Sequence, residues 1–236
     1  MKNELFPAVI LAGGLATRLR PLTEVIPKAL VDINGEPFVV HQLKSLYEQG
    51  IRKVVMCVAY LGEQIVDVLG NGNQLGMQVA YSFDGNPLLG TAGAIKKALP
   101  KIDEKYFFVL YGDSYLLCDY RAAQEKFLQS QKMALMTVFN NQSQWDKSNV
   151  EFLAGEIVCY DKKHKTPQMQ HIDYGLGVFA KTAFDSIPSD IPFDLEILYQ
   201  QLLKQRQFAA LEVKQRFYEV GSFLGIEEFK EYLAIV

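Results

Sequence analysis

Residues Tyr106–Tyr111 read Tyr-Phe-Phe-Val-Leu-Tyr and stop abruptly at Gly112-Asp113. A run of apolar β-formers with no polar alternation needs cover on both faces, as a strand inside a sheet sandwiched between helices has. The rest of the first half supplies such a sheet. Ala8–Leu11 is a short apolar run ending in glycines, and Val54–Ala59 and Gln78–Phe83 read as further strands. Between them, Pro37–Gln49 places Val39, Leu43 and Leu46 on one helical face, with Pro37 suited to a first turn and Gly50 to a C-terminal stop. Glu63–Leu69 reads as a helix, as does Ala92–Leu99 before Pro100. Strands alternating with helices predict an α/β fold with a central mixed, mostly parallel sheet.

The second half is less regular. Ala122–Leu128 reads as helix, Ala134–Val138 as strand, and Val150–Leu153 with Glu156–Tyr160 as a hairpin around Ala154-Gly155. Ile172–Phe179 and Phe208–Val213 are strand candidates; Leu195–Gln205 and Ile226–Leu233 are helical. No Pro-, Gly- or Ser-rich linker divides the halves, so residues 1–236 are expected to form one domain.

Composition narrows the class. Of 236 residues, 49% are hydrophobic and 22% charged, which excludes disorder as the main state. A net charge of −3 gives no basic surplus for a nucleic-acid backbone. Cys57, Cys118 and Cys159 are odd in number and far apart, fitting neither a disulfide framework nor a zinc site. Lys2 followed by Leu5–Ala16 faintly resembles a leader. Glu4, Pro7 and the Gly13-Gly14 break oppose that, and the uncharged stretch falls short of the ~18 residues of a membrane span. The expectation is a cytoplasmic protein with no membrane or nucleic-acid partner.

Three places carry chemistry. Leu11-Ala12-Gly13-Gly14-Leu15-Ala16-Thr17-Arg18 leaves the first strand at its carboxyl end, where open α/β sheets bind ligands. Glycines there let backbone N–H groups approach an anion, and Thr17 and Arg18 add donors suited to phosphate. The spacing is neither Gly-x-x-x-x-Gly-Lys nor Gly-x-Gly-x-x-Gly, and a glycine turn with solvated arginines fits the same residues. Lys28, after Pro27, is either a cation for outer phosphates or a surface residue. Asp113, at the end of the most apolar strand, is a Mg²⁺ ligand or a turn cap shared with Ser114. His41 reads as a structural helix residue, His164 and His171 lack metal spacing, and Trp145 reads as packing, like Tyr106, Phe107 and Phe108.

Leu11–Arg18, Pro27-Lys28, Leu89-Gly90-Thr91-Ala92-Gly93-Ala94-Ile95 and Tyr111-Gly112-Asp113, taken in order, resemble the motifs of the sugar-1-phosphate nucleotidyltransferases. The likeness extends to Val220-Gly221, covering essentially the whole chain. It is nearest to short guanylyltransferases for mannose- or heptose-type sugar phosphates. The resemblance implies a nucleotide-diphospho-sugar transferase (Rossmann-like) fold and the reaction of an NTP with a sugar 1-phosphate, giving an NDP-sugar and pyrophosphate with Mg²⁺. It implies that Leu11, Ala12, Gly13, Gly14, Thr17 and Gly112 border the nucleotide and that Gly90 and Gly93 lie against the base. Arg18 and Lys28 would oppose the charge of the leaving pyrophosphate. Lys162 would align the sugar phosphate, with Asn149, Asp161, Asp173 and Gly175 in the sugar pocket, and Asp113 and Glu219 would hold the metal.

Several positions depart from the family. Ala16 stands at a common glycine, Ala29 follows Lys28 in place of proline, Glu219 replaces an aspartate and Asp173 an asparagine. Uridylyl or cytidylyl transfer to an amino-sugar phosphate or phosphocholine is the alternative activity, and a non-catalytic nucleotide-sugar-binding subunit the alternative class. A monomer or homodimer is expected.

Overall fold

The computed structural model describes residues 4–189 and 191–235. Lys2 lies outside the described residues. The elements are β1 (Ala8–Leu11), β2 (Asp32–Ile33), β3 (Glu36–Pro37), α1 (Phe38–Gln49), β4 (Lys53–Val58), α2 (Gly62–Leu69), β5 (Gln78–Phe83), α3 (Gly90–Ala98), β6 (Tyr106–Tyr111) and β7 (Ser114–Tyr115). Next come α4 (Tyr120–Ser130), β8 (Ala134–Asn140), β9 (Val150–Leu153), β10 (Glu156–Tyr160), β11 (His171–Ala180), α5 (Leu195–Lys204), β12 (Phe208–Val213), β13 (Tyr218–Glu219) and α6 (Phe223–Leu233).

A nine-stranded mixed sheet runs through the described residues. Its parallel block is β5-β4-β1-β6, and β11 continues it antiparallel to β6 before pairing with β8 and β9. The apolar run of β6 behaves as its pattern requires. Phe108 and Leu110 join the core beneath α1, α2 and α4, while Phe107 and Val109 join the core beneath α3 and α5. Residue alternation thus feeds two buried layers from one strand, which is why no polar position interrupts it.

A third apolar cluster unites Leu19, Val31, Ile33 and Phe38 with Val220, Ile226 and Phe229. It fastens the turns after β1 to the far C-terminal segment. After β1 the chain passes to β4 on one side and later returns to β6 on the other, so the carboxyl ends of β1 and β6 flank a topological switch point. Leu11 is in register with Tyr111 there. All three cysteines are free. No helix among the described residues is long and apolar enough to cross a membrane.

Candidate active site

Two cavities open at that switch point. One, of about 260 Å³, is bordered by Leu11, Ala12, Gly13 and Gly14 on one side and by Gly90 and Gly112 on the other. The second, of about 480 Å³, takes in Arg18, Asn149, Lys162, Asp173, Gly175 and Glu219. Tyr111 and Asp113 line both, so they stand at the junction.

The junction is built by close backbone approach. A Cβ on Gly112 would lie 2.7 Å from the Leu11 carbonyl and 3.0 Å from the Ala12 Cα, so only glycine lets β6 end against the loop after β1. Buried Gln42 on α1 then donates its Nε2 to the carbonyls of Tyr111 (2.9 Å) and Ser114 (2.7 Å), fixing the turn that carries Asp113. Glu219 arrives by the antiparallel β13–β7 pair, in which it sits opposite Ser114. Two carboxylates distant in sequence therefore face each other.

Each acid has a cation beside it. Lys28 Nζ donates to Asp113 Oδ2, and Arg18 Nη2 lies 3.7 Å from Glu219 Oε2. Ser222 Oγ donates to Glu219 Oε1 at 3.2 Å. Burial, followed by the nearby Asp113 charge, raises the Glu219 carboxyl above its ordinary range, against the opposing pull of Arg18. A Cβ on Gly221 would fall 2.6 Å from Glu219 Oε2, 2.9 Å from Arg18 Nη2 and 3.4 Å from Asp113 Oδ2. The bare backbone there leaves open the space between the carboxylates. Paired acids beside a small gap suit a hard divalent cation that takes its other ligands from substrate oxygens and water.

In the larger cavity, Lys162 Nζ lies 5.5 Å from the centre of the Tyr111 ring and 6.0 Å from that of Tyr160, and its ammonium forms no ion pair among the described residues. Its backbone N–H donates to Glu196 Oε1 at 3.0 Å. Asp173 Oδ1 accepts from the Gly175 N–H at 3.1 Å, while Oδ2 is buried without a hydrogen-bond partner among the described residues. Burial raises the Asp173 carboxyl, and the Lys162 charge opposes that rise. Asn149 Oδ1 accepts from the Asp173 N–H at 2.9 Å, so this side chain holds the strand that presents Asp173.

Three expected residues take other places. Thr17 is exposed and lines neither cavity. Gly93 does not line the smaller cavity; a Cβ would lie 3.1 Å from the Leu89 Cβ and 3.3 Å from the Ile191 carbonyl. Its smallness serves the packing of α3 against the segment before α5. Asp161 Oδ1 accepts from the N–H groups of Lys163 (2.7 Å) and His164 (2.8 Å), which holds its carboxyl below the usual range within its own turn. Sequence reasoning passed over Gln42 and took Tyr111 only as part of the Tyr111-Gly112-Asp113 motif, because the hydrogen bonds of the one and the place of the other between two cavities are tertiary. Trp145, read as packing, instead lines the larger cavity and is 44% exposed, unlike the buried Phe107 and Phe108.

A family model described as nucleotidyl transferase matches residues 7–185. The chain is 41% identical over 116 residues to an N-acetylmuramate alpha-1-phosphate uridylyltransferase of Neisseria meningitidis, covering 49% of the chain and 50% of that protein. It is 29% identical over 216 residues to a D-glycero-alpha-D-manno-heptose 1-phosphate guanylyltransferase of Aneurinibacillus thermoaerophilus, covering 91% and 92%. Among solved structures, HddC from Yersinia pseudotuberculosis complexed with GMP-PN superposes with a TM-score of 0.78 at 26% identity, covering 97% of this chain and 100% of that one. Against several other curated relatives, the chain spans only about half to three fifths of their length.

Proposed function

The chain belongs to the nucleotidyl transferase family, and we propose that residues 1–236 act as one domain joining an NTP to a sugar 1-phosphate, with release of pyrophosphate. The observation that carries this reading is the junction, where Lys28, Arg18, Asp113 and Glu219 meet between two cavities and Lys162 stands in the second. The smaller cavity takes the nucleoside and the larger one the sugar phosphate, which brings the α-phosphorus to Asp113.

A sugar-phosphate oxygen attacks the α-phosphorus in line; the bond to the bridging oxygen breaks and its electron pair leaves with pyrophosphate. The attacking phosphate is already anionic, so no general base is required. Rate enhancement comes from alignment and from charges set in place beforehand. Arg18 and Lys28 oppose the charge growing on pyrophosphate. Lys162, whose ammonium stands over the Tyr111 ring in the larger cavity, orients the incoming phosphate. Mg²⁺ held by Asp113 and Glu219 would neutralise phosphate charge during transfer. Cys57, at the wall of the nucleotide cavity, takes no part as a nucleophile, because burial pushes its thiol far up.

For the finer substrate we favour GTP and a mannose- or heptose-type sugar phosphate, supported by the near-full-length likeness to a heptose 1-phosphate guanylyltransferase. The higher local identity to the N-acetylmuramate uridylyltransferase supports UTP with an amino-sugar phosphate as the second reading. Pyrophosphate release from GTP, UTP and CTP, each paired with mannose, heptose and N-acetylmuramate 1-phosphates, decides between them. Nucleotide-sugar binding without release from any pair would leave only the regulatory role. The same reading expects a cytoplasmic monomer or homodimer.

A further inference from the structure

Trp145 is the chain's single tryptophan, on the loop between β8 and β9. That loop is held from within. Buried Asn141 donates its Nδ2 to the Asp146 carbonyl (2.5 Å) and accepts from the Trp145 N–H (3.3 Å), and Ser148 Oγ accepts from the Ser143 N–H (3.0 Å). Across the cavity mouth, the Arg216 guanidinium lies 3.5 Å from the centre of the Trp145 ring and 4.4 Å from that of Tyr218. A 2.5 Å pair with Glu228 on α6 fixes the guanidinium in turn. One aromatic face is thus pinned by a cation, while the residue still borders the larger cavity and remains 44% exposed. Phe217 and the exposed Leu224 border the same cavity.

A large aromatic surface held open at a cavity mouth is costly to hydrate and gains by contact with an apolar partner. Its negative π-face favours weakly positive C–H groups, and one face of a pyranose ring presents a patch of them. The phosphate end of the ligand has Lys162 nearby; the ring needs a surface that accepts C–H groups. Resting on the proposed activity, we infer that Trp145 is a sugar-binding residue, a platform on which the acceptor sugar stacks, with Arg216 and Glu228 as positioning residues that hold the indole in place.

The unique tryptophan reports on itself. Mannose, heptose and N-acetylmuramate 1-phosphates are titrated into the full chain, with and without GTP or UTP, while indole fluorescence is recorded; inorganic phosphate is the control. A saturable change with a sugar 1-phosphate and none with phosphate is expected. Trp145→Ala should raise the KM for the sugar phosphate about three- to tenfold and leave that for the nucleotide in place, and Trp145→Phe should recover most of the loss. Glu228→Gln should shift the fluorescence response to higher sugar concentration. Turnover without any sugar-dependent fluorescence change, an equal response to phosphate alone, or an unaltered sugar KM in Trp145→Ala would overturn the platform. Fluorescence that responds to a sugar 1-phosphate in a protein releasing no pyrophosphate would sink the catalytic reading and leave the platform standing.

Discussion

Ala16 has φ +46° and ψ +45°, the left-handed region in which a Cβ crowds the following carbonyl. The Thr23 hydroxyl donates to its carbonyl at 2.8 Å and holds it there. That strain is worth roughly 1–2 kcal/mol, and the extra unfolded-state freedom of glycine takes back about 0.4–1 kcal/mol. Ala16→Gly should therefore raise the melting temperature by a few degrees, read by thermal unfolding, with turnover retained. At the charged residues the expected sign is reversed. Arg18→Ala should cut turnover by a factor on the order of 10² in a folded protein, because the charge opposing pyrophosphate matters most in the transition state. Asp113→Asn should demand far more Mg²⁺ for half-maximal activity and Glu219→Gln somewhat more; unchanged metal titrations for both would remove them from the metal site. Asp173 couples stability to pH. Its folded carboxyl titrates above the unfolded one, so between the two values the folded state holds the extra proton and stability falls as pH rises. Asp173→Asn should flatten that fall between acidic and neutral pH in a melting series, and should relax selectivity among sugar 1-phosphates without changing the KM for NTP.

At the scale of elements, Gln42 is the test case, since through it α1 holds the turn that carries Asp113. Gln42→Leu would leave the Tyr111 and Ser114 carbonyls without their donor, a loss of about 1–3 kcal/mol in urea unfolding. The looser turn should also weaken the Mg²⁺ response through Asp113. Elements were legible where one segment carries its own signal. The strands Gln78–Phe83, Val150–Leu153, Glu156–Tyr160 and Phe208–Val213 lie where the apolar pattern places them. Helix starts were less so. α3 begins at Gly90, ahead of Ala92, because the Ala92 and Gly93 N–H groups donate to the Phe193 carbonyl and the Thr91 N–H to Asp194, a cap supplied from far along the chain. α6 begins at Phe223, ahead of Ile226, with Ser222 Oγ accepting from the Gly225 N–H at 3.1 Å; exposed Phe223 and Leu224 hide that start from an amphipathic count. The two-residue strands β7 and β13 are too short to show any period, yet they bring Glu219 to Asp113.

Across the whole molecule, the site closes only when the first and last segments meet through the small cluster of Leu19, Phe38, Val220 and Phe229. Ligands that bind there should stabilise the entire fold: an NTP at a hundred times its Kd should add about 2.7 kcal/mol, visible as a thermal shift. Because Asp113 and Glu219 repel phosphate charge unless a cation intervenes, the shift should shrink on adding EDTA. The loop after β1, Lys28 after Pro27 and Asp113 at the end of β6 could be picked out because glycines and charges there interrupt the apolar pattern, while a glycine turn, a surface lysine and a turn cap fitted the same residues. The doubly covered sheet was equally open to reading, since local hydrophobic period is a property of the chain itself. Tertiary structure alone decided that Gly93 and Asp161 serve packing and a turn, that Glu219 lies opposite Asp113, and that Trp145 faces a cavity. Such facts depend on which distant segments pack together, and no local pattern of residue types encodes a contact between positions that only the finished core brings into reach.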